Sequence, residues 1–109
     1  LGNIKSVSNF FYESLRLSDA FMAKRFMLEA ISGIANCLAD LNDFPCAIKL
    51  LYFVKNHPSI SYEVLQYTEK LLAEIIPTVA LEAAKSAEQL AQSLTLEQVT
   101  TQMLREFSL

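Results

Sequence analysis

Apolar residues recur at steps of three and four along the whole chain and do not alternate with polar ones. That spacing gathers apolar side chains on one face of a helix, so it predicts helices from end to end. Residues that favour helices are abundant, while only 2 Gly and 3 Pro occur. The pattern therefore predicts an all-α fold.

The pattern divides into helices at 3–21, 24–41, from residue 44 to the break at 56–59, 62–75, a fifth after Pro77, and a short terminal helix from residue 96. The fourth and fifth form either one rod kinked at Pro77 or two helices. The side chains expected to face inward are Ile4, Val7, Phe11 and Leu15; Met27, Ile31, Ile34, Leu38 and Leu41; Ala47, Leu50, Leu51 and Val54; Leu65, Leu72 and Ile75; Ala80, Ala83, Ala87, Leu90 and Leu94; and Leu96, Val99, Met103 and Phe107.

Three local motifs predict where helices begin. Asp43 and Ser61 each precede an apolar run, and both residue types cap free amides of a first helical turn. Thr95 and Gln98 have the spacing of a capping box, in which each side chain binds the other's backbone N–H.

Composition limits the protein's class. The 109 residues fit one domain, 1–109, and the formal net charge of -3 disfavours nucleic-acid binding driven by phosphate neutralisation. No apolar run reaches the roughly 20 residues that span a bilayer, so no membrane partner is expected. Two cysteines without disulfide-type spacing suggest a reducing compartment, and we expect a cytoplasmic protein. Because the first residue is Leu, we expect a fragment of a longer chain.

Residue types that carry chemistry are sparse. His57 has no nucleophile or carboxylate beside it in sequence, and we expect it to lie in an exposed loop. Cys37 and Cys46 lack the paired spacing of metal ligands, so we expect two free thiols with no assigned redox role. No Gly-rich phosphate loop is present. The sequence thus predicts no enzymatic activity, no cofactor and no metal site.

A weak internal repeat, V-S-N-F-F-Y at 7–12 and A-I-K-L-L-Y at 47–52, has a period of 40 residues, the scale of a helical-hairpin solenoid. The runs E-S-L at 13–15, A-I-S-G-I-A at 30–35 and N-D-F-P-C-A-I-K-L-L at 42–51 resemble tetratricopeptide-repeat hairpins. With L-T-L-E-Q-V at 94–99, they resemble the last repeat and C-terminal cap of large bacterial signalling and transcriptional regulators that also contain a STAND-type ATPase module. Met22-Ala23 departs from the Gly-Asp turn usual in that family.

The resemblance implies antiparallel hairpins stacked as a right-handed solenoid, with repeat helices in 1–58 and capping helices in 59–109. It also implies that the first helix of each repeat lines a groove for a protein or peptide partner, or for another domain of the parent chain. A polar stripe on the second helix is the candidate lining: Arg25, Glu29, Ser32, Asn36 and Asp40. The same stripe would also suit an ordinary solvated helix face.

The leading hypothesis is therefore a non-catalytic protein-interaction module at the end of a helical-repeat array. The alternative is a structural helical bundle that self-associates. Either way, a chain without preceding repeats would expose Phe10, Phe11 and Phe21, and we expect them to be covered in a homodimer through the N-terminal helix. Packing of the first helix alongside the third would indicate a solenoid, and a closed central core would indicate a bundle.

Overall fold

The computed structural model describes the backbone of residues 2–106 and the side chains of residues 9–106. Its helices are α1 (Gly2–Ala20), α2 (Lys24–Asp40), α3 (Phe44–Lys55), α4 (Tyr62–Ile75), α5 (Leu81–Gln92) and α6 (Leu96–Glu106), with a 3₁₀ turn at Ile76–Thr78. The described residues contain no strand, so the all-α prediction is confirmed. The predicted inward side chains of Ile4, Val7 and Phe107 lie outside the described residues.

Two of the three predicted N-terminal motifs are confirmed. The Ser61 hydroxyl accepts a hydrogen bond from the Val64 N–H at 3.3 Å. In the capping box, the Gln98 N–H donates to Thr95 Oγ1 at 3.1 Å and the Thr95 N–H donates to Gln98 Oε1 at 3.0 Å.

The predicted side-chain cap at Asp43 is wrong, although Asp43 is the residue that precedes α3. Its ψ of 66° differs from the extended backbone of Ser61, whose ψ is 158°. The Asp43 N–H donates to the carbonyl of Leu38, because the same residue also closes the end of α2. An extended backbone is what turns a capping side chain toward the first-turn amides.

The turns after α1 and α2 are the same motif. Met22 and Asn42 both have positive φ, at 53° and 65°. The next residue in each turn donates its N–H to a carbonyl five residues back, Ala23 to Ser18 and Asp43 to Leu38, which defines a Schellman ending. The departure at Met22 from the usual Gly therefore leaves the turn intact, with a methionine in a left-handed conformation.

Pro77 separates two helices and does not kink one rod. It lies in the 3₁₀ turn, after which Val79 and Ala80 are extended. The chain therefore changes direction between α4 and α5. Both helices pack on α3, and within the described residues neither packs extensively on the other.

The core is built around α3, the most apolar helix, which packs against α2, α4 and α5. Half of its residues are buried: Ala47, Ile48, Leu50, Leu51, Phe53 and Val54. It approaches α5 through Ala84, Ala87 and Ala91, whose small side chains allow close packing. Because this alanine stripe is the contact, Leu90 on the flank of α5 is exposed. Ala80, before α5, and Leu41, at the end of α2, are also exposed. The inward predictions for these three residues are wrong.

The first helix packs on α2 and on α6, burying Leu15 completely. Within residues 2–106 it makes no extensive contact with α3. The contact between α1 and α6 instead packs the first described helix against the last. None of the described helices combines the length and apolar character needed to cross a membrane.

Candidate partner-binding groove

A groove of about 350 Å³ opens where α1, α2 and α4 meet. Its lining comes from all three helices: Phe11, Glu29, Ser32, Gly33, Glu63, Val64 and Tyr67. The apolar walls come from Phe11 and Val64, while Glu29 and Glu63 are exposed at its edge. The groove thus combines an apolar interior with carboxylates from two different helices.

The polar stripe predicted on α2 lies only partly in this groove. Glu29 and Ser32 line it, whereas Arg25 and Asp40 are exposed outside its lining and Asn36 is half-buried. No ion pair joins Arg25 to Glu29 among the described side chains.

Ser32 is the one stripe residue that cannot serve as a solvent-facing contact. Only 3% of it is exposed, and its hydroxyl donates to the backbone carbonyl of Glu29 at 2.7 Å. The hydroxyl proton of Ser32 is therefore already used within α2, and a role of Ser32 in binding a partner stays a prediction. Among the stripe residues, Glu29 both lines the groove and is exposed to solvent.

Gly33 sets how closely α1 approaches α2. A Cβ added at Gly33 would overlap the ring of Phe11. The missing side chain therefore lets the Phe11 ring lie against α2. This contact holds the Phe11 wall of the groove in place.

Tyr67 closes the α4 side of the groove and shows the electrostatic character of this surface. Burial raises the pKa of the Tyr67 phenol, and nearby groups that are anionic when ionised, Cys37, Asp40 and Glu74, raise it further. Negative charge in the neighbourhood disfavours the phenolate form. Asp40 therefore belongs to the same acidic surface as the groove, although it does not line it.

Sequence reasoning missed the residues that α1 and α4 contribute. Glu63 and Tyr67 lie on α4 four residues apart, a spacing that places them on one face, and this was the available signal. It could not identify α2 as the neighbour of that face, because helix pairing depends on tertiary packing.

A second cleft of about 550 Å³ surrounds the only histidine. His57 is half-buried, which corrects the expected exposed position, and its Nδ1 accepts a hydrogen bond from the Ser59 N–H at 3.1 Å. Burial, and then the charge of Lys24, lower the pKa of His57. Asp19 and Glu97 also line the cleft, so its lining has two carboxylates against the one ammonium group of Lys24.

Cys37 is buried and Cys46 is half-buried, and both thiols are free, as predicted. Burial is the main cause that raises the pKa of Cys46. In the part of the chain that the structure describes, no three His, Cys, Asp or Glu side chains converge as metal ligands would.

Comparisons with known proteins give no further assignment. No protein-family model matches the chain, and neither a curated protein nor a solved structure matches it.

Proposed function

We propose that this chain is a non-catalytic protein-interaction module that holds a cationic, amphipathic segment of a partner in the groove between α1, α2 and α4. The observation that carries the proposal is the meeting of Glu29 and Glu63, from two helices, above the apolar lining of one open groove. An apolar groove with a charged rim is the usual form of a site for an amphipathic helix.

The charge of the two flanking helices decides the chemistry of the partner. Exposed positions along the groove side of α2 and α4 carry four carboxylates, from Glu29, Asp40, Glu63 and Glu74, against the two cations Arg25 and Lys70. Opposite charge speeds association and disfavours acidic competitors. The partner segment should therefore carry Lys or Arg beside its apolar anchors.

One part of the packing fits a tetratricopeptide-like interpretation, namely the contact of α2 with α4, whereas the packing of α1 alongside α3 that would indicate a solenoid is not extensive in the described residues. In that family, first helices of successive repeats line the binding groove, and α2 and α4 would be those helices here, with α3 packed against both. As part of the same proposal, the chain would belong to the C-terminal solenoid of a bacterial cytoplasmic signalling or transcriptional regulator. The partner segment would then belong either to another domain of that regulator or to a separate protein.

The test uses two fluorescent synthetic helical peptides of about 18 residues. They share a leucine face and differ in having lysine or glutamate on the other face. Fluorescence anisotropy should show that the leucine–lysine peptide binds and the leucine–glutamate peptide does not. The double variant Glu29→Lys, Glu63→Lys should weaken binding about tenfold or more, as expected for losing two charge contacts.

The matched control is Glu82→Lys, Glu106→Lys, which changes the net charge equally at two exposed carboxylates outside the groove lining. This control should bind the leucine–lysine peptide as the unmodified chain does. Equal loss in both double variants would mean that only net charge matters and would contradict the proposal. Unchanged binding in the groove variant would contradict it as well.

A further inference from the structure

The outer side of the α1–α2 hairpin carries an apolar surface, which we name the outer hairpin face. It consists of Phe10 and Leu17 from α1, Phe21 from the turn that follows α1, and Phe26 from α2, exposed by 65%, 50%, 79% and 58%. Phe10 and Leu17 are seven positions apart, so they share one face of α1. Within the described residues, no other helix covers this face.

The outer hairpin face is shaped as a row of large side chains beside a hollow. A groove of about 330 Å³ runs between α1 and α2, and the small residues Ser14, Ser18 and Ala30 lie in it beside the exposed rings. Large side chains of one surface can enter such hollows in another, which is how helices pack face to face. Because the outer hairpin face has both exposed large side chains and a hollow, it is complementary to a second copy of itself.

The uncovered area is in the range that a dimer requires. The exposed fractions of Phe10, Phe21 and Phe26 leave roughly 400 Å² of aromatic surface in water per copy. Two copies with Leu17 and the helix flanks would bury about 1,000 Å² in total, near the lower limit for a specific interface. Interfaces of that size are typical of transient, reversible association.

Charge also favours a second copy at this face. Up to Glu29 the chain has four Lys and Arg against three Asp and Glu, and beyond it five against nine. The acidic excess therefore lies in the other part of the sequence. Two copies that meet through their α1–α2 hairpins do not bring net negative charge together.

We propose that the outer hairpin face binds a second copy of this chain about a two-fold axis. Such an axis makes the contacts reciprocal, so the large side chains of each copy enter the hollow of the other. Ser14 is half-buried and lines that hollow between Phe10 and Leu17, so the two copies can approach closely there.

Sedimentation velocity over about 1–500 μM tests the association. The mass should rise from 12.2 kDa to twice that value. The double variant Phe10→Glu, Leu17→Glu should weaken the dimer at least about tenfold, because it places charge in an apolar contact. Circular dichroism checks that the variant keeps its helices, which it should, because both side chains are largely exposed.

The matched control is Leu81→Glu, Leu90→Glu, which makes the same charge change at two leucines of α5 exposed by 66% and 58%. It should dimerise as the unmodified chain does. A monomer at every concentration, or equal sensitivity of both double variants, overturns the proposal. Glu29 lines both the groove and the hollow of the outer hairpin face, whereas Glu63 lines only the groove. The single variant Glu63→Lys should therefore weaken peptide binding and leave self-association unchanged, so either proposal can fail alone.

Discussion

At the scale of single residues, Gly33 and Phe11 act as one unit. The Phe11 ring occupies the space where a Cβ at residue 33 would lie. Replacing a helical Gly by Ala normally stabilises by about 1 kcal/mol. Here the ring would have to move, and overpacking of a buried contact costs about 1–3 kcal/mol. We therefore expect Gly33→Ala to destabilise the protein.

A double-mutant cycle measures this coupling. In a Phe11→Ala background the obstruction is absent, so Gly33→Ala should become stabilising by up to about 1 kcal/mol. The free energy of unfolding from guanidinium titrations of the four proteins gives the interaction energy, expected to be about 1 kcal/mol or more. Strictly additive effects would show that the ring and the glycine do not depend on each other.

Met22 adopts a left-handed backbone conformation that is unfavourable for a residue with a Cβ. A left-handed conformation costs a residue with a Cβ about 1–2 kcal/mol, and a glycine adopts it without that cost. Met22 is 79% exposed, so removing its side chain gives up little burial. Glycine has more backbone entropy in the unfolded chain, which offsets part of this gain. Met22→Gly should therefore stabilise the protein by about 0.5–1 kcal/mol.

The equivalent turn supplies the control for Met22. Asn42→Gly should change stability by only a few tenths of a kcal/mol, because asparagine already tolerates a left-handed conformation. Thermal unfolding followed by circular dichroism compares the two variants directly. Equal effects at both positions would contradict the explanation from side-chain strain.

At the scale of the helices, capping decides how firmly each one begins. Ala80 precedes α5 with φ of -64° and ψ of 142°, an extended backbone like that of Ser61, but its methyl group cannot accept a hydrogen bond. Ala80→Ser should therefore stabilise the protein by about 1 kcal/mol. The measurement is the free energy of unfolding in guanidinium.

Ala23 before α2 provides the matched comparison, because its ψ of 80° is not extended and resembles that of Asp43. Ala23→Ser should add little stability, just as Asp43 makes no side-chain cap. If Ser stabilised both sites alike, backbone conformation would not be what decides capping in this protein.

The helices themselves were largely predictable because each depends on local signals. Ser61, Thr95 and Gln98 mark helix starts through bonds within three residues, and the predicted bounds of α1 to α4 agree with the structure to within about one residue. The fifth helix begins at Leu81 and not directly after Pro77, because a 3₁₀ turn and two extended residues come first. Asp43 was wrong because its backbone also completes the preceding turn. Leu90 was wrong because α5 meets α3 through alanines, a choice of contact that periodicity alone does not reveal.

At the scale of the molecule, pairing of distant helices decides the site, and this was the least predictable level. The groove needs Glu29 and Glu63 together, although they are separated by a whole helix and two turns. The predicted polar stripe on α2 includes Glu29, which lines the groove, but the pattern of a single helix cannot show which neighbour completes a surface. The same limit applies to the contact of α1 with α6.

The contact of α1 with α6 also indicates how the molecule unfolds. In a linear array each unit touches only its neighbours, so damage at one end stays local. Here α1 packs on α6, the radius of gyration is 12.9 Å, and a compact domain of this size is expected at about 13 Å. We therefore expect the described helices to unfold as one cooperative unit.

Met103 of α6 provides the test, because it is fully buried in the core. Met103→Ala should cost about 2–5 kcal/mol. In a cooperative unit, hydrogen exchange at the slowest amides of 9–20 in α1 should accelerate as much as at those of α6, since both exchange only when the whole unit opens. The exposed Leu90→Ala serves as a control and should leave both rates unchanged. Acceleration confined to α6 would show that the protein opens from one end, as a stacked array does.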